Sequence, residues 1–406
     1  MKEEFYTYTL PNGIKGIHRR VKSGAARCSL TIGAGSRDEL HTEHGIAHFA
    51  EHGLFKGTTH RKGYQVNCRL ENLGGELNAF TTKEDTTIHA TVLKSDFSKA
   101  AELISDIAFN STFPDKELDK EREVIIDEIN TYKDSPMDMI YDTFEDMIFD
   151  GSELGHNILG TKRDLMRHNS KALHNFRART YTTDQMVFAT IGDISNSRIE
   201  QIANRYFAIY PATTRNYTRT APAQHTPFEH KVTKHTHQCH CIVGNRAYSI
   251  TEDKRLPFSL LVNILGGPTA NSRLNVSVRE RNGLSYNIEA NYVPYSDSGM
   301  IAIYFSSDHC NSDHCRQIIA EEIKKLQTVR LTSRQLSMAK RQYIAQMTIA
   351  TENNEGYMLG IGRSLLVHGE VDTLEQAYKK INSITADQIL EVANEVFTNN
   401  STLIYQ

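Results

Sequence analysis

The chain has 406 residues, and at about 100–200 residues per domain this length predicts two or three domains. With 39% hydrophobic and 23% charged residues, the composition excludes a wholly disordered or fibrous chain. The 46 Lys and Arg residues against 49 Asp and Glu residues give a net charge of -3. The chain therefore has no overall basic field that would attract nucleic acid or a membrane surface.

The N-terminal stretch MKEEFYTYTLPNG carries acidic residues and alternating side chains. A secretory signal would have a basic start and an apolar core instead. No apolar run approaches the roughly 18–20 residues that span a bilayer. Six cysteines are too sparse for a disulfide scaffold in a chain of this length, and we expect reduced thiols. The sequence predicts a soluble cytoplasmic protein.

In the first half of the chain, alternating apolar residues predict strands at CSLTIGAG, from Cys28, and at TTIHATV, from Thr86. Two amphipathic helices follow the second strand. They are FSKAAELISDIAF, from Phe97, and FPDKELDKEREVIIDE, from Phe113. The order is therefore strand, helix, helix.

The second half repeats this order. Strands are predicted at CHCIVG, from Cys239, and at MIAIYF, from Met300, followed by the helix CRQIIAEEIKKL, from Cys315. The next helix, LTSRQLSMAKRQYIAQ from Leu331, aligns without gaps on the first-half helix from Phe113. Such self-similarity predicts an internal duplication.

Between the halves, residues 210–234 contain three prolines, many threonines and little apolar periodicity, as linkers do. We therefore predict an α+β fold of two homologous domains, each a mostly antiparallel sheet packed against helices. The predicted boundaries are 1–210 for the first domain, 211–234 for the linker and 235–406 for the second domain.

The motif His48-x-x-Glu51-His52 lies in HGIAHFAEHGLFKGT, a proline-free stretch that predicts a helix. One turn separates His48 from His52, so two imidazoles can converge on one ion with the Glu51 carboxylate beside them. A catalytic zinc commonly takes three protein ligands, and a nearby carboxylate outside them serves as the base. The alternative is that these are ordinary residues of a surface helix.

A third ligand is available on the helix EREVIIDEINTYKDSP, where Glu121 and Glu128 lie two turns apart on a shared face. Val124 and Ile125 are predicted to point to the core. In the aligned second-half helix, Glu121 and Glu128 correspond to alanine and glutamine, so the second half has lost both carboxylates.

At this point the sequence resembles the pitrilysin or insulysin family of inverted-motif zinc peptidases, which includes the mitochondrial processing peptidase and bacterial single-subunit members. The resemblance covers nearly the whole chain. It rests on LPNGIK, GSRDE, GIAHFAEHGLFKGT, LGGELNAFTTKEDTT, the E-I-x-x-Y-x-D-x-P helix end from Glu128, and LGTKRDL from Leu159.

The resemblance implies a role for each matching residue. His48, His52 and Glu128 would bind one Zn²⁺ per chain, and Glu51 would be the base. Glu121 would orient one of the ligands. Substrate would add in extended form to an edge strand, by β-augmentation, along the four residues Asn78, Ala79, Phe80 and Thr81.

A second constellation lies in SVRERNGLSYNIEANY, where Arg279 and Tyr286 precede an alternating strand. Alone, the pair reads as a surface arginine and a strand tyrosine. By the resemblance, Arg279 holds the substrate and Tyr286 polarises the scissile carbonyl. Large family members have four such domains and this chain has two, so we expect a homodimer. In it, Arg279 and Tyr286 of one copy complete the metal site of the other.

Two histidine- and cysteine-rich stretches are poorer candidates for metal binding. In HTHQCHC, same-face residues of a strand step about 7 Å apart and converge badly on one ion. DHCNSDHC has the features of a loop before a helix. His89, in the strand from Thr86, is expected to pack or contact substrate rather than bind metal.

The sequence therefore predicts a zinc metalloendopeptidase that hydrolyses unstructured peptides or short polypeptides within a closed chamber. Two alternatives stay open. One is a processing peptidase that trims presequences, which would prefer basic residues near the cut. The other is a catalytically silent scaffold subunit, although such subunits usually lose motif residues that this chain retains.

Overall fold

The computed structural model of the protein describes residues 5–406. The first four residues of the stretch in which we predict no secretory signal lie outside this range. Among the described residues, no helix combines the length and the apolar character needed to cross a membrane.

The strands of the described chain are β1 (Tyr6–Thr9), β2 (Lys15–Arg20), β3 (Ala25–Ile32), β4 (Glu76–Thr81), β5 (Thr86–Leu93), β6 (Met186–Gly192), β7 (Glu229–Val232), β8 (Cys239–Ala247), β9 (Ser285–Pro294), β10 (Gly299–Ser307) and β11 (Ser401–Tyr405). The helices are α1 (Ile46–Leu54), α2 (Gly63–Glu71), α3 (Phe97–Asn110), α4 (Asp115–Lys133), α5 (Pro136–Ile148), α6 (Lys162–Leu165), α7 (Ser170–Thr180), α8 (Asn196–Tyr206), α9 (Arg255–Gly266), α10 (Ser312–Thr328), α11 (Ser333–Ala350), α12 (Asn354–His368), α13 (Leu374–Ser383) and α14 (Ala386–Val396).

The chain forms two compact units, and neither is contiguous in sequence. The first unit comprises the described residues up to Asn130, His156–Arg219 and Ile349–Thr373. The second unit comprises Thr131–Gly155, Thr220–Thr348 and Leu374–Gln406. The first unit thus includes α12 from the C-terminal half, and the second includes α5 from the N-terminal half. The contiguous domain boundaries drawn from the sequence stay a prediction.

The first unit is built on a six-stranded sheet in the order β1-β2-β6-β3-β5-β4. Its neighbouring strands are antiparallel except β2 and β6, which are parallel. On one face, α3 buries Ala100, Leu103, Ile104 and Ile107, whose spacing of three and four residues forms one apolar stripe. Strand β4 lies at the edge of this sheet.

The other face of the first sheet is covered by α12. Its apolar residues Met358, Ile361 and Leu365 pack on Ile17 and Val187 of β2 and β6. Gly362 permits this approach, because a Cβ at that position would lie 3.1 Å from the Cβ of Ala189. A helix from the C-terminal half therefore completes the core of the first unit.

The second unit has a five-stranded sheet in the order β7-β11-β8-β10-β9. Strands β7 and β11 are parallel, and the other neighbours are antiparallel. This repeats the order and directions of β2-β6-β3-β5-β4, with β9 in the place of β4. The α+β fold of two related sheets is confirmed, although each sheet is mixed rather than wholly antiparallel.

Helix α5 covers one face of the second sheet through Ile140, Phe144 and Ile148, while α9, α10 and α14 cover the other. The segment 211–234, predicted as a linker, contacts both units. Thr213 exchanges hydrogen bonds with Thr183 in the first unit, and Glu229–Val232 forms β7 in the second.

Candidate metal centre

Gly45 is the N-cap of α1, and its φ of 82° lies in the left-handed region that favours glycine. The buried carboxylate of Glu39 accepts hydrogen bonds from the backbone N–H of Gly45, at 3.0 Å, and of Ala47, at 2.8 Å. These are N–H groups that a helix start leaves without partners. Glu39 therefore fixes the start of the helix that carries the histidine motif.

His48 and His52 lie one turn apart on α1, with ring centroids 4.6 Å apart. The Nε2 atom of each is 3.8 Å from Oε2 of Glu128 on α4. These separations are too long for hydrogen bonds. One ligand atom from each of the three residues lies within 4.8 Å of the other two, so one ion could be held between them.

His48 has the protonation state that metal binding requires. Burial, followed by the neighbouring His52, lowers the pKa of His48 to about 3. His48 is therefore neutral at pH 7, and neutral imidazole is the form that binds metal. Two imidazole nitrogens and one carboxylate oxygen form a donor set that zinc accepts, so the residues present fit this metal.

Glu121 lies behind His52. Its Oε1 atom is 2.9 Å from Nδ1 of His52, and its Oε2 atom is 2.5 Å from Nζ of Lys56. Burial acts to raise the pKa of Glu121, but the hydrogen bonds to His52 and Lys56 outweigh it and the pKa is lowered. With Nδ1–H of His52 donating to this carboxylate, Nε2 keeps its lone pair toward Glu128.

Lys56 was missed by the sequence reasoning. It lies one helical turn beyond His52, and this spacing from a motif histidine was the available signal. Lysines lie mostly on protein surfaces, so the sequence alone gives no reason to pair Lys56 with Glu121 on α4.

Glu51 projects from α1 toward strand β4. Burial raises the pKa of Glu51, while the polar side chain and backbone of nearby Thr81 offset part of this rise. The charges of His52 and Glu128 also act on the carboxylate. A largely buried carboxyl with a raised pKa beside a candidate metal site is suited to taking up and returning a proton.

One prediction about α4 is wrong. Ile125 is buried as expected, but Val124 is 52% exposed. The buried stripe of α4 consists of Leu118, Ile125, Ile126 and Ile129. These four residues span about 100° of the helix circumference, from Ile125 to Ile126, and Val124 lies about 100° beyond the Ile125 edge of the stripe.

The four predicted substrate-binding residues, Asn78 to Thr81, lie on the edge strand β4. Ala79 packs against the core, whereas Asn78 is exposed and pairs with His89 of β5. The His89 ring is 6.0 Å from the Phe80 ring, and its Nδ1 atom is 3.6 Å from Oε1 of Glu355. His89 therefore packs within the first unit and is not among the metal-binding group on α1 and α4.

Arg279 and Tyr286 meet in the second unit. The Arg279 guanidinium is 5.3 Å from the centre of the Tyr286 ring. Tyr286 is 82% exposed because β9 has a β-bulge there: Ser285 pairs with Ser307 and Asn287 with Ser306, so Tyr286 has no partner in the register. Bulges re-aim side chains next to active sites in many sheets.

The two poorer candidates form no cluster that could hold a metal ion within residues 5–406. Cys239 and Cys241 of HTHQCHC are buried in the core of the second unit. In DHCNSDHC, Ser312 begins α10.

Comparison with known proteins places the chain in a family. Residues 18–162 match the family model described as insulinase, peptidase family M16, and residues 168–343 match the model described as the peptidase M16 inactive domain. The chain is 31% identical over 401 residues to the "Uncharacterized zinc protease YmxG" of Bacillus subtilis, covering 98% of this chain and 96% of the relative. It is 30% identical over 403 residues to an "Uncharacterized zinc protease" of Rickettsia bellii, covering 99% and 97%.

Two solved structures share the fold. A protease from Helicobacter pylori superimposes with a TM-score of 0.91 at 19% identity, covering 99% of both chains. A protein from Pseudomonas fluorescens described as a peptidase M16 inactive domain gives a TM-score of 0.91 at 18% identity, covering 99% of this chain and 97% of the other. The chain belongs to the M16 peptidase family, which confirms the resemblance to the pitrilysin or insulysin family.

Proposed function

We propose that the protein is a zinc-dependent endopeptidase that hydrolyses unstructured peptides or short polypeptides within a closed chamber in the cytoplasm. The observation that carries this proposal is the approach of Nε2 of His48 and Nε2 of His52 to Oε2 of Glu128, with Glu51 beside them. His48, His52 and Glu128 would hold one Zn²⁺ per chain.

When bound, zinc would polarise the peptide carbonyl and increase the acidity of water at the site. Glu51 takes the proton from the attacking water and returns it to the leaving amine. Burial raises the pKa of the Glu51 carboxyl, which suits a group that takes up and returns a proton. Glu121 keeps the His52 ring in one orientation and one tautomer through Nδ1.

The substrate is proposed to bind in extended form along the free edge of β4, at Asn78, Ala79, Phe80 and Thr81. Main-chain hydrogen bonds would provide affinity that depends little on substrate sequence. Arg279 would hold the substrate, and the Tyr286 hydroxyl would donate to the oxygen that becomes negative during attack. A folded protein should be cut much more slowly than its unfolded form, since it offers no extended segment.

Two copies are proposed to form a homodimer in which Arg279 and Tyr286 of each copy complete the metal site of the other. Mixing Glu51→Gln subunits with Tyr286→Phe subunits tests this arrangement. Completion between copies regenerates one intact site and restores activity in the mixture. Completion within one copy leaves every site defective, and the mixture stays inactive.

The first experiment measures cleavage of a quenched unstructured peptide by the wild type and by Glu51→Gln, with the zinc content of both. We expect cleavage by the wild type, a loss of at least about 100-fold in kcat for the variant, and about one zinc per chain in each. If neither protein cleaves although both hold zinc, the protein is a silent scaffold subunit and the proposal fails.

A further inference from the structure

The loop Thr82–Asp85, which joins edge strand β4 to β5, is held by an arginine from a distant part of the chain. Arg219 has a side chain that is only 14% exposed. Its guanidinium donates to both carboxylate oxygens of Asp38, at 3.0 and 2.8 Å, and to the backbone oxygen of Glu84, at 2.7 Å. It also donates to the backbone oxygen of Gly33, at 3.2 Å, and lies 3.3 Å from Oε1 of Glu84.

The segment Gly35–Asp38 holds the other side of the same loop. The Arg37 guanidinium donates to Oε1 of Glu84 at 2.6 Å, and its backbone N–H donates to the Lys83 carbonyl at 2.8 Å. Gly35 permits this close approach, because a Cβ there would lie 2.3 Å from the Thr82 carbonyl oxygen. Two arginines therefore share the Glu84 carboxylate, and Arg219 links it to the buried Asp38.

The loop is the direct continuation of the proposed substrate strand. Thr82 N–H donates to the Asp85 carbonyl at 2.7 Å and closes the turn. The preceding residue, Thr81, is the last residue of β4 and pairs with Thr86 of β5 in the register. A displacement of the loop is therefore transmitted to the C-terminal end of β4.

We propose that Arg219 is a positioning residue for the substrate strand: it fixes the β4–β5 loop, and through the loop it fixes the edge of β4. Arg219 lies inside the segment 211–234, which the sequence presented only as a linker. This inference rests on the proposed function, since it assigns Arg219 a part in aligning an extended substrate on β4.

The test compares two peptides of the same sequence, one of which carries an N-methyl group on a backbone amide next to the cleaved bond. N-methylation removes one main-chain hydrogen bond and blocks close strand pairing. For the wild type we expect it to lower kcat/KM about tenfold, the size of one net hydrogen bond. In Arg219→Met the parent peptide should lose about tenfold in kcat/KM, and the difference between the two peptides should shrink to about twofold or less.

Arg61→Met is the matched control. Arg61 is 19% exposed and pairs with Glu102 and Asp106 of α3, away from the β4–β5 loop. We expect this variant to have a lower melting temperature than the wild type but the same ratio of kcat/KM between the two peptides. Arg219→Lys keeps the charge but cannot reproduce the planar fork of contacts, so it should give an intermediate ratio, and it replaces Arg219→Met if that variant does not fold.

If the folded Arg219 variant keeps the wild-type ratio of kcat/KM between the parent and the N-methylated peptide, the inference is overturned. A general loss of folded enzyme would lower both rates equally and leave this ratio unchanged. Failure of the proposed function gives a different result, since the wild type would then cleave neither peptide.

Discussion

Glu121 shows how one side chain can set the chemistry of another. By accepting from Nδ1–H of His52 at 2.9 Å, it selects the tautomer whose Nε2 lone pair faces Glu128. The spacing of Glu121 and Glu128 on one helix made this carboxylate a candidate from the sequence. The salt bridge to Lys56 could not be predicted, because it depends on how α1 and α4 pack.

Replacing Glu121 with glutamine should lower zinc affinity by about 10–100-fold, as loss of a carboxylate behind a metal-binding histidine typically does. Competition with a chromogenic chelator measures the dissociation constant. Glu117→Gln is the control, since Glu117 lies on the same helix, is partly exposed and pairs with Lys120. Equal zinc affinity of Glu121→Gln and wild type would contradict the role of Glu121.

The metal-free protein should become less stable as the pH falls, because of His48. Burial lowers the pKa of His48 in the folded protein to about 3, whereas a histidine in the unfolded chain has a pKa of about 6.5. Between these values the unfolded state binds a proton that the folded state does not. The free energy of unfolding therefore decreases as pH falls, by up to about 1.4 kcal/mol per pH unit.

Urea denaturation of the chelator-treated protein between pH 7 and pH 5 measures this dependence. His48→Gln should reduce the slope of the free energy of unfolding against pH by up to about 1.4 kcal/mol per pH unit, the contribution of one proton. His237→Gln, which removes an exposed histidine, should leave the slope as in the wild type. A slope that His48→Gln leaves unchanged would mean that His48 is protonated in the folded state.

At the scale of secondary structure, the β-bulge in β9 decides the direction of Tyr286. Alternation along β9 buries Ile288 and Ala290, and an unbroken strand would turn Tyr286 to the same side. The bulge reverses the alternation and exposes Tyr286. Apolar patterning predicts a strand here, but it does not reveal the bulge, because a bulge is a property of the pairing between β9 and β10.

Tyr286→Phe should lower kcat by about 100-fold, the effect of losing one hydrogen-bond donor to a developing oxyanion. The free energy of unfolding should stay within about 0.5 kcal/mol of wild type, because the hydroxyl belongs to an exposed side chain. Steady-state kinetics and denaturation of the same preparation measure both quantities. A fall in stability without a fall in kcat would make Tyr286 a structural residue.

At the scale of the whole molecule, each unit depends on a helix from the other half of the sequence. The duplication was visible in the order strand, helix, helix, and the repeated strand order supports it. The exchange of α5 and α12 could not be predicted. Periodicity shows that a helix such as α5 has an apolar face, through Ile140, Phe144 and Ile148, but it does not show which sheet that face meets.

Residues 1–219 and 220–406 expressed separately should therefore fail to fold cooperatively. Without α12, one face of the first sheet exposes Ile17, Val187 and Ile191. Co-expression of the two fragments should restore a folded complex, because each fragment supplies the helix that the other unit needs. Thermal unfolding followed by circular dichroism, with co-purification of a tagged fragment, tests this. A cooperative transition in the isolated 1–219 fragment would contradict it.

The exchanged helices also have a consequence during synthesis. The ribosome finishes the last strand of the first sheet, β6, at Gly192, but α12 ends at His368. At a synthesis rate of about 5–20 residues per second, the apolar face of this sheet stays uncovered for roughly 10–35 s before α12 is complete. Throughout that interval the nascent chain presents a surface that other chains and chaperones can reach, so the histidine motif is translated early but its unit matures only after α12 has been made.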